Sequence, residues 1–197
     1  MDVSVGRDSG GLAVEVPGLQ VISWRFNWLC EKWSEEAVAH VRRRLGLADF
    51  AEVSSELLRK FIGKAEVEDE VKGNLLLNEG ISELLDLMAG EGSPTAFNTA
   101  NARIGVGDST TAAAASQTDL QAATNKTYKA MNGAYPTRTA QTMDWQSDFT
   151  SGEANYAWQE WVIDNGSGAA KTLNRKVESL GTKSTGTWTL TGSVTIS

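Results

Sequence analysis

After Gly105-Val106-Gly107 the chain runs into Asp108-Ser109-Thr110, where a glycine pattern meets a dense set of oxygen-bearing side chains. Three chemistries are conceivable there: a phosphate cradle, a nucleophile, or a plain turn. A phosphate cradle needs glycines that let backbone N–H groups approach the anion, and a helix N-terminus behind them. Thr110 stands where the third glycine of a dinucleotide fingerprint belongs, and no Gly-Lys-Ser/Thr follows, so both phosphate motifs fail. Ser109 or Thr110 could act as a nucleophile only beside a base, and the only histidine is His40, far away in sequence. Asp108 is better read as closing a strand-end turn through its own side chain.

The remaining candidates fare similarly. Asp144, Asp148, Glu153, Glu160 and Asp164 could supply the paired carboxylates of a glycoside hydrolase. Each is equally an ordinary solvent-facing strand or turn residue, and that reading is favoured. Asp-Asn-Gly-Ser-Gly at 164–168 lacks the spaced carboxylates and terminal glutamate of a calcium loop and reads as a hairpin turn. Cys30 sits between Trp28 and Trp33 and reads as a buried structural thiol rather than a nucleophile. Arg42, Arg43 and Arg44 fan out by about 100° each on a helix, so they form a solvated helix end rather than one stripe. The expectation is a chain without catalytic residues, cofactor or metal.

Charge bears on partners. The net charge is −7, and an acidic chain repels a phosphate backbone, so direct nucleic-acid binding is not expected. No run approaches the length of a signal peptide's apolar core or a membrane span, which points to assembly in a cytoplasm and no membrane partner.

The elements that must position these residues fall into three expected pieces: an extended arm over 1–23, a helical part over 24–92, and an antiparallel β module over 93–197. In the arm, Val3 and Val5 alternate with polar residues, as do Val14 and Val16, and Gly10-Gly11 permits a bend between them. Such an arm suits strand addition to a neighbour's sheet edge.

The helical part has Ser34 as a cap before Glu35 and Glu36, then Val38, Val41 and Leu45 at helical spacing, with Gly46 as stop. A second helix is expected from Asp49, with Phe50, Val53, Leu57 and Phe61 as its stripe, ending at Gly63. A third, around 74–90, puts Ile81, Leu84, Leu85 and Met88 on one face and stops at Gly90. Trp24, Trp28 and Trp33 bury much surface, either in the core or in an inter-subunit contact, where tryptophan is enriched.

After Pro94 the composition turns to Thr, Ser, Ala, Asn and Gly. Short extended segments suit 100–107, 126–131, 140–149, 154–164, 172–180 and 187–196, separated by turn signals, as in a sandwich or barrel. The segment 154–163 is apolar at both parities: Tyr156, Trp158 and Val162 against Ala157, Trp161 and Ile163. Such a strand is covered on both sides, by the core and by the helical half or a neighbouring subunit. The fold class is therefore α+β: an N-terminal extended arm and helical part, then an antiparallel β-sandwich or barrel module.

From residue 74 onward a set of segments adds a family resemblance. NLLLNEGI (74–81), NTANARIGVGDSTTAAAASQTDLQ (98–121), NKTYKAM (125–131), SGEANYAWQEW (151–161), LNRKVESLGTK (173–183) and TWTLT (187–191) together resemble small virion structural proteins of tailed bacteriophages. The order of segments is more specific than any one of them. The resemblance implies a component of the particle head or neck, a capsid decoration or head–tail junction protein. Its partners would be other virion proteins and copies of itself, and it implies no catalytic residues. Candidate partner contacts are Val3, Val5, Val14, Val16, Trp24, Trp28 and Trp33. A tail-fibre or receptor-binding module, stacking sugars on Tyr135 or Trp145, is the alternative reading. A hydrolase using the acidic residues of the β half is the third.

Overall fold

A computed structural model describes residues 5–8, 11–14, 23–166 and 170–197. The elements in chain order are β1 (Val5–Asp8), β2 (Gly11–Val14), β3 (Trp24–Trp33), α1 (Glu35–Leu45), α2 (Ser55–Phe61), β4 (Val67–Lys72), β5 (Leu75–Leu76) and α3 (Asn78–Ala89). They continue with β6 (Arg103–Gly107), β7 (Lys126–Ala130), β8 (Thr137–Thr139), β9 (Thr142–Phe149), β10 (Ala157–Asp164), β11 (Thr172–Thr182) and β12 (Thr187–Ile196). Two antiparallel five-stranded sheets carry the fold: β4-β3-β12-β9-β8 and β5-β11-β10-β6-β7. The α+β sandwich expected from the sequence is what forms. The six expected strand segments correspond to β6, β7, β9, β10, β11 and β12.

Between the sheets lies the main core, with Trp28, Trp145, Phe149, Trp158, Trp161 and Trp188 buried in it. Strand alternation explains the supply. On β12, Trp188, Leu190 and Val194 enter this core, while Thr189 and Thr191 turn outward to bond Asp148 and Gln146. Gly192 occurs in the same inward row because a Cβ there would lie 2.7 Å from the Trp28 ring.

The first correction concerns 24–33, expected to be helical. It is strand β3, paired along its length with β12 from Trp24↔Ile196 to Trp33↔Thr187. A spacing of four fits a helix and two strand periods alike, so Trp24 and Trp28 do not discriminate. Phe26 and Cys30, in step with Trp28 and alternating with Arg25, Asn27 and Glu31, do: Phe26, Trp28 and Cys30 enter the core. β3 is central in its sheet and β4 pairs with it, while β5 joins β11 in the other sheet. The helical part and the β module expected as successive pieces therefore share both sheets.

Helix α1 follows the sequence reading. The Ser34 side chain accepts from the Ala37 N–H, Glu35 and Glu36 occupy the first turn, and Gly46 takes a left-handed φ of 65°. Helix α2 does not start at Asp49. It starts at Ser55, with the Ser54 side chain accepting from the Leu57 N–H and the Asp148 carboxylate accepting from the Ser55 N–H at 2.8 Å. Val53 still reaches a second core, with Trp33, Val38, Val41 and Leu58, between the helices and the outer face of the first sheet. Phe50 does not: it is 90% exposed.

Helix α3 ends at Gly90 as expected, yet packs by a different face. Gly80 lies against β11, where a Cβ would come 2.5 Å from the Leu173 Cα. Beside it, the buried Glu83 carboxylate accepts from the Thr95 N–H at 2.6 Å and from Asn165 Nδ2 at 2.9 Å. Of the expected stripe only Leu84 packs on the core; Ile81, Leu85 and Met88 face outward.

Candidate interaction surface

The glycines of Gly105-Val106-Gly107 serve close approach rather than a turn. Neither has a left-handed φ. A Cβ at Gly105 would lie 2.5 Å from the Tyr128 ring, and one at Gly107 would lie 2.7 Å from the Glu160 carboxylate. Both glycines are on the outer face of the second sheet, where residues 108–125 fold back over β10 and β11. Glu160 and Arg175, both fully buried, hold that segment down. The Glu160 carboxylate accepts from Arg175 Nε at 2.7 Å and from the N–H groups of Gln121 and Ala122 at 3.0 and 2.7 Å. Arg175 also donates to Gln117 Oε1 at 2.9 Å and to the Thr111 carbonyl at 2.8 Å.

This arrangement resolves the two-sided strand 154–163. A register shift between Trp158 and Glu160 turns both Trp158 and Trp161 into the core. The outer side is covered by the chain's own 108–125 segment, not by the helical half.

Ser109 bonds only locally, to Thr111, and Asp108 accepts from Asn125 Nδ2 at 2.7 Å. His40 is exposed on α1, which lies over the other sheet. Asp148, on the outer face of the first sheet, binds Ser55 and Thr189, while Glu160 faces outward from the second. The whole sandwich separates those two carboxylates. Glu153 is paired with Lys129, and Asp164 takes Arg103 through both oxygens, at 2.9 and 2.5 Å. Arg103, Asn165 and Gly166 line a polar cleft of about 420 Å³ at the end of this sheet. Residues 167–168 of the 164–168 turn lie outside the described residues. Among the described residues no His, Cys, Asp and Glu side chains gather as a metal site, and no helix is long and apolar enough to cross a membrane.

Two buried titratable groups, not singled out by any motif as a pair, bear on the alkaline behaviour of the protein. Lys183 is fully buried and donates to the Thr150 carbonyl at 2.7 Å and Asn155 Oδ1 at 2.8 Å, neither of them a carboxylate. Burial pushes its ammonium down to about 8, against the pull of Glu153 and Glu35. Burial also pushes the Cys30 thiol up to about 12.

The unfolded lysine stays protonated to its ordinary value of 10.5, so above pH 8 the unfolded chain binds more protons than the folded one. Stability therefore rises with pH through that window, by up to about 1.4 kcal/mol per pH unit. Cys30 acts oppositely once unfolded thiols ionise, near pH 9. Urea unfolding of the wild type should show a gain between pH 8 and pH 9 that Lys183→Met lacks. The same gain in the variant would assign it to another group.

Two of the expected partner contacts, Trp28 and Trp33, need correction. Trp28 is buried in the main core and Trp33 in the second core, so their indoles are spent within the chain; Trp24 is half-buried against the main core. Val5 and Val14 oppose one another across the antiparallel β1–β2 ladder, so these stretches of the arm pair with each other. Val3 and Val16 lie outside the described residues. Trp145, considered for sugar stacking, is buried with its N–H donating to the Phe97 carbonyl at 3.1 Å. Tyr135 is half-buried against the main core.

Exposed apolar side chains gather instead on α3 and around the end of α1. Ile81, Leu85 and Met88 of α3 are 40%, 58% and 84% exposed. Leu45, Leu47 and Phe50 are exposed at the tip after α1. The α3 residues were legible as a stripe; that the stripe faces outward was not. No family model matches the chain, and no curated protein or solved structure shows significant similarity to it.

Proposed function

We propose that this chain is a structural component of a tailed-phage particle, a capsid decoration or head–tail junction protein held by protein–protein contacts. The observation that carries the reading is the apolar face of α3, exposed on a chain that otherwise buries two hydrophobic cores. A contiguous exposed apolar face on an otherwise well-packed protein marks an interaction surface. The ordered segment resemblance described above supplies the class of assembly.

The test is direct. Particles purified from the phage that encodes this chain should contain it in many copies, located by cryo-electron microscopy at the capsid surface or the neck. Particles carrying Met88→Asp should lose most of it, while the free variant stays folded. Absence from wild-type particles, or location only at fibre tips, overturns the reading.

A further inference from the structure

The exposed face of α3 has a counterpart on the same molecule. Ile81, Leu85 and Met88 recur at i, i+4 and i+7 and so lie along one side of the helix. The charge that α3 and the loop after it bring to the surface is acidic: Glu83 is buried, but Glu79 and Asp86 are half-buried and Glu91 is exposed, and residues 73–102 contain no lysine or arginine. The last turn of α3 has no basic side chain to offset the negative end of its dipole.

The tip after α1 is the reverse. Arg43 and Arg44 are exposed beside Leu45, Leu47 and Phe50. Arg44 and Lys60 each lie 5.8 Å from the Phe61 ring centroid, so α2 adds a further cation. Asp49 is the only carboxylate between Val41 and Ala51. The tip has a fixed shape. Arg42 is bound to Glu35 at 2.7 Å and donates to the Ala51 carbonyl at 2.7 Å, while the Leu47 N–H donates to the Arg42 carbonyl at 2.9 Å.

The two surfaces sit on different sheets. Helices α1 and α2 cover the outer face of the first sheet, and α3 packs on β11 of the second. One molecule therefore presents an acidic apolar face and a basic apolar face in different places. We propose that they meet between copies: the α3 face of one chain docks on the α1 tip of the next, head to tail. A heterologous contact of this kind builds a ring if its rotation closes and a filament if it does not. The inference rests on the structural-component reading and names the second copy as partner.

Sedimentation of the purified full chain tests it. The wild type should self-associate, more weakly at high salt because the charges are exposed. Leu85→Glu should weaken self-association by more than about tenfold, the scale of one lost interface anchor. Arg43→Glu with Arg44→Glu should do the same. Mixed in equal amounts, the two variants should form a dimer that grows no further, because each retains the half the other lacks. Met88→Glu replaces Leu85→Glu if that variant fails to fold, as judged by circular dichroism.

A wild type that stays monomeric at its highest soluble concentration overturns the inference. So do variants that assemble like the wild type, or a mixture that stays monomeric. If the chain is nonetheless present in particles, the structural-component reading survives and only the head-to-tail contact falls.

Discussion

Glu160→Gln should lower stability by about 3–5 kcal/mol, because it leaves the Arg175 guanidinium buried without its counter-charge. The cost is large since neither group has any solvent to turn to, and the Glu160 carboxylate also satisfies two backbone N–H groups of the covering segment. Electrostatics and tethering can be separated. Replacing both residues by methionine removes the unpaired charge, so the double variant should recover much of the loss in urea unfolding. It should not restore the hold on residues 108–125, whose Thr111, Gln117, Gln121 and Ala122 contacts go with the pair. Hydrogen exchange over 108–125 should therefore be fast in the double variant and slow in the wild type. A single variant within about 1 kcal/mol of wild type would show that the pair is not sealed from water.

Trp158→Ala should be of similar size, about 3–5 kcal/mol. The indole is fully buried, edge-on to Phe149 at 4.8 Å and to Trp188 at 5.0 Å between ring centroids. Those rings come from β9 and β12 of the first sheet, whereas Trp158 belongs to β10 of the second. Truncation therefore opens a cavity at the junction of the two sheets, where neither can collapse without moving the other. The indole N–H donates to the Ala154 carbonyl at 2.9 Å, which fixes the ring's tilt. Urea midpoints give the measurement. Trp158→Phe should recover most of the loss because it keeps an aromatic ring in the same space. A loss below about 1 kcal/mol for the alanine variant would mean that the core closes over the gap.

Much of this fold was written locally. Helix α1 needed only Ser34, the acidic first turn and Gly46, since caps and dipole preferences act within a few residues. The strands β6, β7 and β9 to β12 were marked by turn residues and β-branched runs, which are local as well, whereas the short β8 was not. Where local signals were ambiguous, the reading failed for identifiable reasons. Residues 24–33 offered tryptophans four apart, compatible with either period, and pairing with β12 decided for the strand. Asp49 was read as the start of the second helix, but Ser54 caps it, and the Ser55 N–H that opens it donates to the Asp148 carboxylate, nearly a hundred residues away.

The sequence by itself determined the class of the molecule: an acidic α+β chain with a Thr/Ser-rich antiparallel half. Only the tertiary structure decided which faces are spent and which are free. Gly80 lets α3 lie on β11 through its smallest side, so its apolar stripe, which pattern alone assigns to the core, is left at the surface. The tryptophans that composition offered to a partner are instead consumed by the two cores. Burial depends on which surfaces reach each other first and fit most closely. That is a property of the assembled sheets and not of any stretch of sequence.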